Sequence, residues 1–399
     1  MTHSLPLLGT ASSSPAPRAE LTTDVLAELQ TLGVRWFSPS GPGLSRAGGA
    51  GPSDHKAILI DGQTLMVPIF THASLASPFV ARVEADGTAA LSRAGRFLGH
   101  VRFPSTPRFY ELVTADGVPF WKIARLHGSD VLATTVLQTC FRYGQRASSC
   151  QFCAIGQSLA AKQTLAEKSP QQLAEVAAAA VRLDGVRHVV MTTGTPRSSD
   201  RGAGVLAAAA RAIRERVDIP IQAQCEPPAD LGWFERLRDA GVDSLGMHLE
   251  AVNEEVRRRI MPGKAEVPVD DYFKAFARAT LVFGRGQVST YLLAGLGDTA
   301  EELLSAAERL IEIGVYPFVV PFVPIASTPL EHHPAATPAF LERVLAGVSS
   351  RLAAAGMSAS DIKAGCGRCG ACSSLRAREP RRTSGDSDHG EVPHGVARV

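Results

Sequence analysis

From residue 131 onward, short apolar runs alternate with longer amphipathic stretches, and this rhythm constrains the fold more than any other feature of the sequence. The pattern predicts strands over 131–138, 188–192, 220–224, 244–249, 287–293 and 317–323. Helices are predicted over 170–184, 204–216, 231–240, a long stretch ending at 283, 300–312 and 338–355. A strand that returns through a helix must pair parallel with its predecessor, so the alternation predicts a parallel α/β sheet. Six such units predict a partial (βα)6 barrel rather than a closed barrel of eight. In such sheets chemistry gathers just beyond the carboxyl ends of the strands.

The flanks read differently. Residues 1–20 are rich in Ser, Pro and Ala and are expected to form a disordered leader. Residues 21–130 predict a β-rich accessory region. A helix is expected over 21–32, a Gly/Pro/Ser loop over 38–53, and hairpins at Asp61-Gly62 and Asp116-Gly117. The barrel core is expected over 131–335, a final helix and Cys-rich metal segment over 336–373, and a disordered tail over 374–399.

With 41 basic and 39 acidic side chains the net charge is only +2. That gives no footprint for nucleic acid. No apolar run reaches the roughly 18 residues needed to span a bilayer, and the N-terminus lacks a secretory pattern. A cytoplasmic location is expected, and with it reduced thiols.

The seven cysteines are clustered. Cys140, Cys150 and Cys153 lie in TCFRYGQRASSCQFCAIG, directly after the first core strand. Cys366, Cys369 and Cys372 lie in GCGRCGACSS, and Cys225 stands alone. Thiolates are the ligands of iron–sulfur clusters. Three thiolates on a four-iron cubane would leave one iron open to a small ligand. Zinc is the competing reading, although it usually takes four ligands. The second triplet reads as an auxiliary iron–sulfur cluster or a zinc knot. Cys225 reads as a small core residue.

The first segment resembles the radical S-adenosylmethionine (SAM) superfamily, whose first loop carries three cysteines with an aromatic before the last, here Phe152. The gap of nine residues between Cys140 and Cys150 departs from the usual three. Further matches follow the later strands. Thr193, Gly194 and Thr195 resemble the turn that holds the amino group of SAM, without its usual acid. Glu226 follows the third strand as a polar contact or a solvated loop acid. In MHLEAVNEEVRRRIMPGK, Glu250 resembles an acid that reaches SAM in lipoyl synthase. Arg258 and Lys264 are both candidates for its carboxylate. At least two of Arg257, Arg258 and Arg259 are expected simply to face solvent. Gly295 and Gly297 in YLLAGLGDTAEE resemble the lipoyl synthase step near the adenine. Thr328, Pro329 and Leu330 resemble a biotin synthase stretch, with Ser327 in place of glycine.

The resemblance implies a partial radical SAM barrel, a 4Fe-4S cluster, SAM, and a second iron–sulfur cluster at the C-terminal triplet. It implies a small-molecule substrate, an electron donor such as flavodoxin or ferredoxin, and hydrogen abstraction by a carbon radical. The odd cysteine gap and the C-terminal triplet resemble radical SAM proteins encoded beside nitrilases, which suggests nitrile-related metabolism. Sulfur insertion like that of biotin and lipoyl synthases is an alternative. A zinc-stabilised binding protein and a barrel lyase with structural metal are others.

Overall fold

The computed structural model describes residues 22–38, 54–60, 62–84 and 88–379. The expected leader (1–20), most of the loop over 38–53, Asp61 and the tail beyond 379 lie outside the described residues.

The first unit is a six-stranded sheet. Its strands are β1 (Arg35–Phe37), β2 (His55–Ile60), β3 (Gln63–Pro68), β4 (Phe79–Val83), β5 (Thr88–Arg93) and β6 (Arg96–Arg102), in the spatial order β1-β4-β5-β6-β2-β3. The hairpin β2–β3 pairs antiparallel down to Ile60 opposite Gln63, as its turn signal predicts. Helix Thr23–Leu32 covers one face of the sheet. Leu26 and Leu29 join Ile58, Leu65, Val67, Phe79 and Leu91 in a core of their own.

The expected hairpin at Asp116-Gly117 is not a hairpin of strands. It is a turn closed by a single bridge between Val113 and Pro119, flanked by helical turns Arg108–Glu111 and Phe120–Ile123. Pro119 cannot donate to a ladder. Asp184 meanwhile accepts the amides of Arg108 (2.8 Å) and Phe109 (3.0 Å), drawing this segment onto the barrel. Phe109, Phe120 and Ile123 are buried in the barrel core. The accessory sheet thus ends at Arg102, short of the expected boundary at 130.

The second sheet contains β7 (Arg125–His127), β8 (Val131–Thr135), β9 (His188–Thr192), β10 (Ile221–Gln224), β11 (Ser244–Gly246), β12 (Val288–Ala294) and β13 (Val315–Pro321). The spatial order is strictly sequential, β13 through β7. The six strands β8–β13 pair parallel, and β7 adds an antiparallel edge that the periodicity did not reveal. With a helix between each pair of successive parallel strands β8–β13, the twisted sheet curls into a partial barrel. The long helical stretch before residue 283 is three helices, Glu254–Ile260, Pro262–Ala265 and Val269–Phe283. Pro262 ends the first, because proline has no amide to continue it.

Local chemistry sets the helix starts. Ser169 with Gln172 and Thr299 with Glu302 form complete capping boxes, and Pro170 sits at the first helical position. Among the described residues no helix is long and apolar enough to cross a membrane.

After helix Pro338–Ala354 the chain crosses the amino-terminal mouth of the barrel. Four successive amides are bound there by strand-end side chains. Lys363 donates to Gln287 (3.0 Å), Ala364 to Ser244 (3.3 Å), Gly365 to His188 (3.2 Å) and Cys366 to Gln222 (3.3 Å). Gly365 has φ 112°, and a Cβ there would overlap the Gln222 amide, so only glycine fits. The accessory unit closes over this plug. The Met66 amide donates to the Ala371 carbonyl (2.7 Å), and the Ser374 amide to Gln30 (2.8 Å). Order continues past the expected tail boundary at 374. Leu375 is fully buried, and Arg378 pairs with Glu342.

Candidate active site

A cavity of about 390 Å³ runs through the barrel lumen. At the carboxyl ends of the strands it is lined by Phe152, Cys153, Ile155 and Glu250. At the amino-terminal mouth it is lined by Cys366, Cys369, Cys372, His127 and His55. Polar strand residues form its wall. Gln224 donates to Gln222 (2.7 Å), which donates to Ser289 (3.2 Å).

The loop after β8 carries the first three cysteines. Cys153 closes a tight turn, its amide bonded to the Cys150 carbonyl (3.0 Å). Burial pushes the Cys153 thiol up to about 11, with Cys140 adding to the effect. Burial also raises Cys150, with Glu250 and Cys153 contributing. Cys153 thus lies within electrostatic range of both Cys140 and Cys150. Cys150 and Phe152 pack on an apolar cluster of Ala251, Val256, Ile260, Met261, Leu296 and Phe322. All seven cysteines, Cys225 included, are free thiols, and Cys225 is buried as expected.

This donor set fits an iron–sulfur cluster. Tetrahedral zinc with bonds of about 2.3 Å requires sulfurs within roughly 4 Å of each other. Among the described residues, no three Cys, His, Asp or Glu side chains are placed to hold one ion. A polynuclear group takes one thiolate at each of three corners and does not need the three on a single ion.

The loop rests on a buried ion pair. Arg142, two residues after Cys140, pairs with Glu226 beyond β10, and their side chains are 3% and 10% exposed. Thr195 also donates to Glu226 (2.8 Å), and the Phe141 amide donates to the Thr195 carbonyl (3.0 Å). Burial would raise the Glu226 carboxyl, but Lys264 and Arg142 outweigh it and hold the group below the usual range. Glu226 is thus neither a solvated loop acid nor an open ligand contact, but a strut beneath the cysteine loop. Gly194 is required here by close approach, because a Cβ would overlap the Thr139 carbonyl.

Glu250 forms a 2.7 Å ion pair with Lys264. Its φ is 67°, unusual for a residue with a side chain. Such strain persists only where surroundings over-determine it. Here the Glu250 amide donates to Tyr291 and its carbonyl accepts from Leu293, both at 2.8 Å. Burial works against the Lys264 charge, yet Glu250 outweighs it and raises the ammonium above its ordinary range.

Of the two basic candidates, only Lys264 is brought to Glu250. Arg258 is exposed on its helix, as is Arg259, while Arg257 is fully buried. Arg257 donates to the carbonyls of Leu249 (2.8 Å), Ala251 (3.1 Å) and Val267 (3.0 Å), bracing the strand-to-helix turn. Gly295 (φ 112°) and Gly297 (φ 133°) adopt backbone that favours glycine. The space beside them is taken by Ala336 and Arg259 of the chain itself. Thr328 is buried and bonds to the Ile325 carbonyl (2.7 Å), while Ser327 holds the positive φ where the resemblance expects glycine.

Sequence reasoning missed several lining residues. His248 stacks on Tyr291 with ring centroids 4.0 Å apart. The Tyr291 amide donates to His248 Nδ1 (3.3 Å), and burial lowers the ring to about 3, so it is neutral with its proton on Nε2. Gln224 Nε2 donates to Cys366 Sγ (3.3 Å). A polar residue in a strand carries no sign of which distant loop it meets. The Met-His-Leu-Glu step, two residues before the candidate acid, was the one available hint to His248.

Residues 146–310 match the family model of the radical SAM superfamily. The matched span includes Cys150, Cys153, Glu250, Lys264, Gly295 and Gly297, and begins after Cys140. This segment of the chain is thus a radical SAM domain by similarity. Among curated relatives it is similar to lipoyl synthase of Geobacillus sp. (strain WCH70), 30% identical over 168 residues. That match covers 41% of this chain and 52% of the relative. It is also similar to bacteriochlorophyllide c C-7(1)-hydroxylase of Chlorobaculum limnaeum, 28% identical, covering 28% of this chain and 30% of the relative. The chain thus spans about half or less of the relatives' length. Among solved structures it is similar to methylornithine synthase, with 16% identity and a TM-score of 0.45 over 65% of this chain and 77% of that one. The superfamily implies a 4Fe-4S cluster and SAM.

Proposed function

We propose that Cys140, Cys150 and Cys153 hold a 4Fe-4S cluster at the carboxyl end of the lumen, beside a SAM site that includes Glu250 and Lys264. The observation that carries this reading is Cys153 within electrostatic range of Cys140 and Cys150, at a cavity that Glu250 of a buried acid–base pair also lines. When bound, the cluster and SAM together supply a carbon radical that abstracts hydrogen from a small molecule.

The residues' own parts follow from their chemistry. Lys264 stays protonated and offers its ammonium to the SAM carboxylate, while Glu250 offers a carboxylate to the amino group. Each replaces its present partner with an equivalent charge, so neither is stranded in the interior. The turn Thr193–Thr195 borders the same loop and offers backbone groups to the amino end. Arg142 and Glu226 hold the cysteine loop in place. Phe322, Val256 and Leu296 exclude water around Cys150. His248 presents a neutral ring in the cavity wall. An electron donor such as flavodoxin or ferredoxin supplies the reductant. The substrate is a molecule small enough for the lumen, and the nitrilase-associated resemblance points to nitrile-related metabolism.

Sulfur insertion is the second reading. It is favoured by the C-terminal thiols facing the same cavity as Cys153. It predicts loss of sulfide from the protein with each turnover.

The test is anaerobic reconstitution with iron and sulfide, followed by dithionite and SAM. The expected product is 5′-deoxyadenosine, absent in Cys150→Ala and Cys153→Ala. An iron centre whose spectrum ignores SAM, or product formation in either variant, overturns the proposal.

A further inference from the structure

The second triplet brings its three thiols to the amino-terminal mouth, and β7 brings a fourth donor there. His127, the last residue of β7, places Nε2 3.5 Å from Cys372 Sγ. In a two-iron cluster each iron is tetrahedral, so a thiolate at about 2.3 Å and an imidazole at about 2.0 Å on the same iron stand about 3.5 Å apart. Gly128 follows with φ 64°, turning the chain so that Cys369 Sγ lies 3.3 Å from where a Cβ would stand. On the far side, Gln224 donates to Cys366. His127 is buried and lines the cavity together with all three cysteines.

We infer that His127 is the fourth protein ligand of a two-iron iron–sulfur cluster on Cys366, Cys369 and Cys372, sharing one iron with Cys372 and facing the substrate from the opposite end of the lumen. The inference rests on the reading of the C-terminal triplet as a cluster site. It adds the ligand that the sequence motif lacks and gives β7 a purpose. A closed four-ligand set leaves this cluster no open iron, in contrast to the first site. Imidazole in place of thiolate removes negative charge from the cluster, so its potential lies above that of an all-cysteine equivalent.

The test uses full-length protein carrying Cys150→Ala and Cys153→Ala, which leaves only the second site to be read. After anaerobic reconstitution, pulsed electron paramagnetic resonance with ¹⁵N-histidine labelling reports nitrogen bound to iron. The expected result is a retained cluster with strong nitrogen hyperfine coupling. Adding His127→Cys should abolish the coupling, keep the iron content and lower the midpoint potential. Retained iron in that variant also shows that it folds. Three results overturn the inference: no nitrogen coupling, coupling that survives His127→Cys, or stoichiometric zinc in place of iron. Absence of any cluster in the double-alanine protein overturns it too. In that case, a SAM-responsive cluster in the wild type leaves the proposed function standing.

Discussion

Replacing Glu226 by Gln should unfold the cysteine loop's support and cost about 3–5 kcal/mol, the usual penalty for removing one partner of a buried ion pair. The geometry justifies the upper class of effect. Arg142 is 3% exposed at its side chain, with two of its nitrogens buried and bonded to nothing else. The amide of Gln could still accept from Thr195, but it cannot neutralise the guanidinium. At about 1.4 kcal/mol per factor of ten, the folding constant should fall by roughly two to three and a half powers of ten. Equilibrium denaturation of the unreconstituted protein measures this. The pH dependence provides a second readout. The Glu226 carboxyl is held below its ordinary range in the fold, so the native state binds fewer protons than the unfolded chain. Its contribution is complete above the unfolded value of about 4.3 and is lost as pH falls through the lowered folded value. Glu226→Gln should lack that part of the acid slope. Pairing the change with Arg142→Met should recover stability, with a coupling of about 0.5–3 kcal/mol. Unchanged denaturation in Glu226→Gln, or simple additivity in the double variant, would refute the reasoning.

Two further outcomes follow from the site and its plug. Lys264→Met should weaken SAM binding to the reconstituted protein at least tenfold while Arg258→Ala leaves it unaltered, and isothermal titration distinguishes the two. Gly365→Ala combines a left-handed φ with overlap on Gln222, whereas Gly356→Ala (φ 64°) meets nothing nearby. The first should lower the thermal midpoint sharply, and the second only by the small shift that a conformational cost of about 1–2 kcal/mol produces.

What could be read without coordinates was local. The alternation after residue 131 predicted six parallel strands because each strand and helix declares itself through its own periodicity and caps. Ser169 and Thr299, for example, start their helices with groups three residues away. The cysteine triplets and Glu250 were legible for the same reason, since their spacings fall within a turn or a loop. The hairpin at Asp116-Gly117 failed as a strand prediction because Asp184, far along the chain, holds its neighbours elsewhere.

Tertiary structure alone decided which separate pieces meet. Nothing in Arg257-Arg258-Arg259 says which guanidinium turns inward, and Lys264 rather than Arg258 reaches Glu250 because of how helix Pro262–Ala265 returns. Glu226 and Arg142 are 84 residues apart, and His127 and Cys372 are 245 apart. Such pairs depend on the curl of the sheet and on the path of the C-terminal segment across its mouth. Periodicity is a short-range property of the chain, whereas the facing of Cys153 and the C-terminal thiols onto one lumen is a property of the curled sheet.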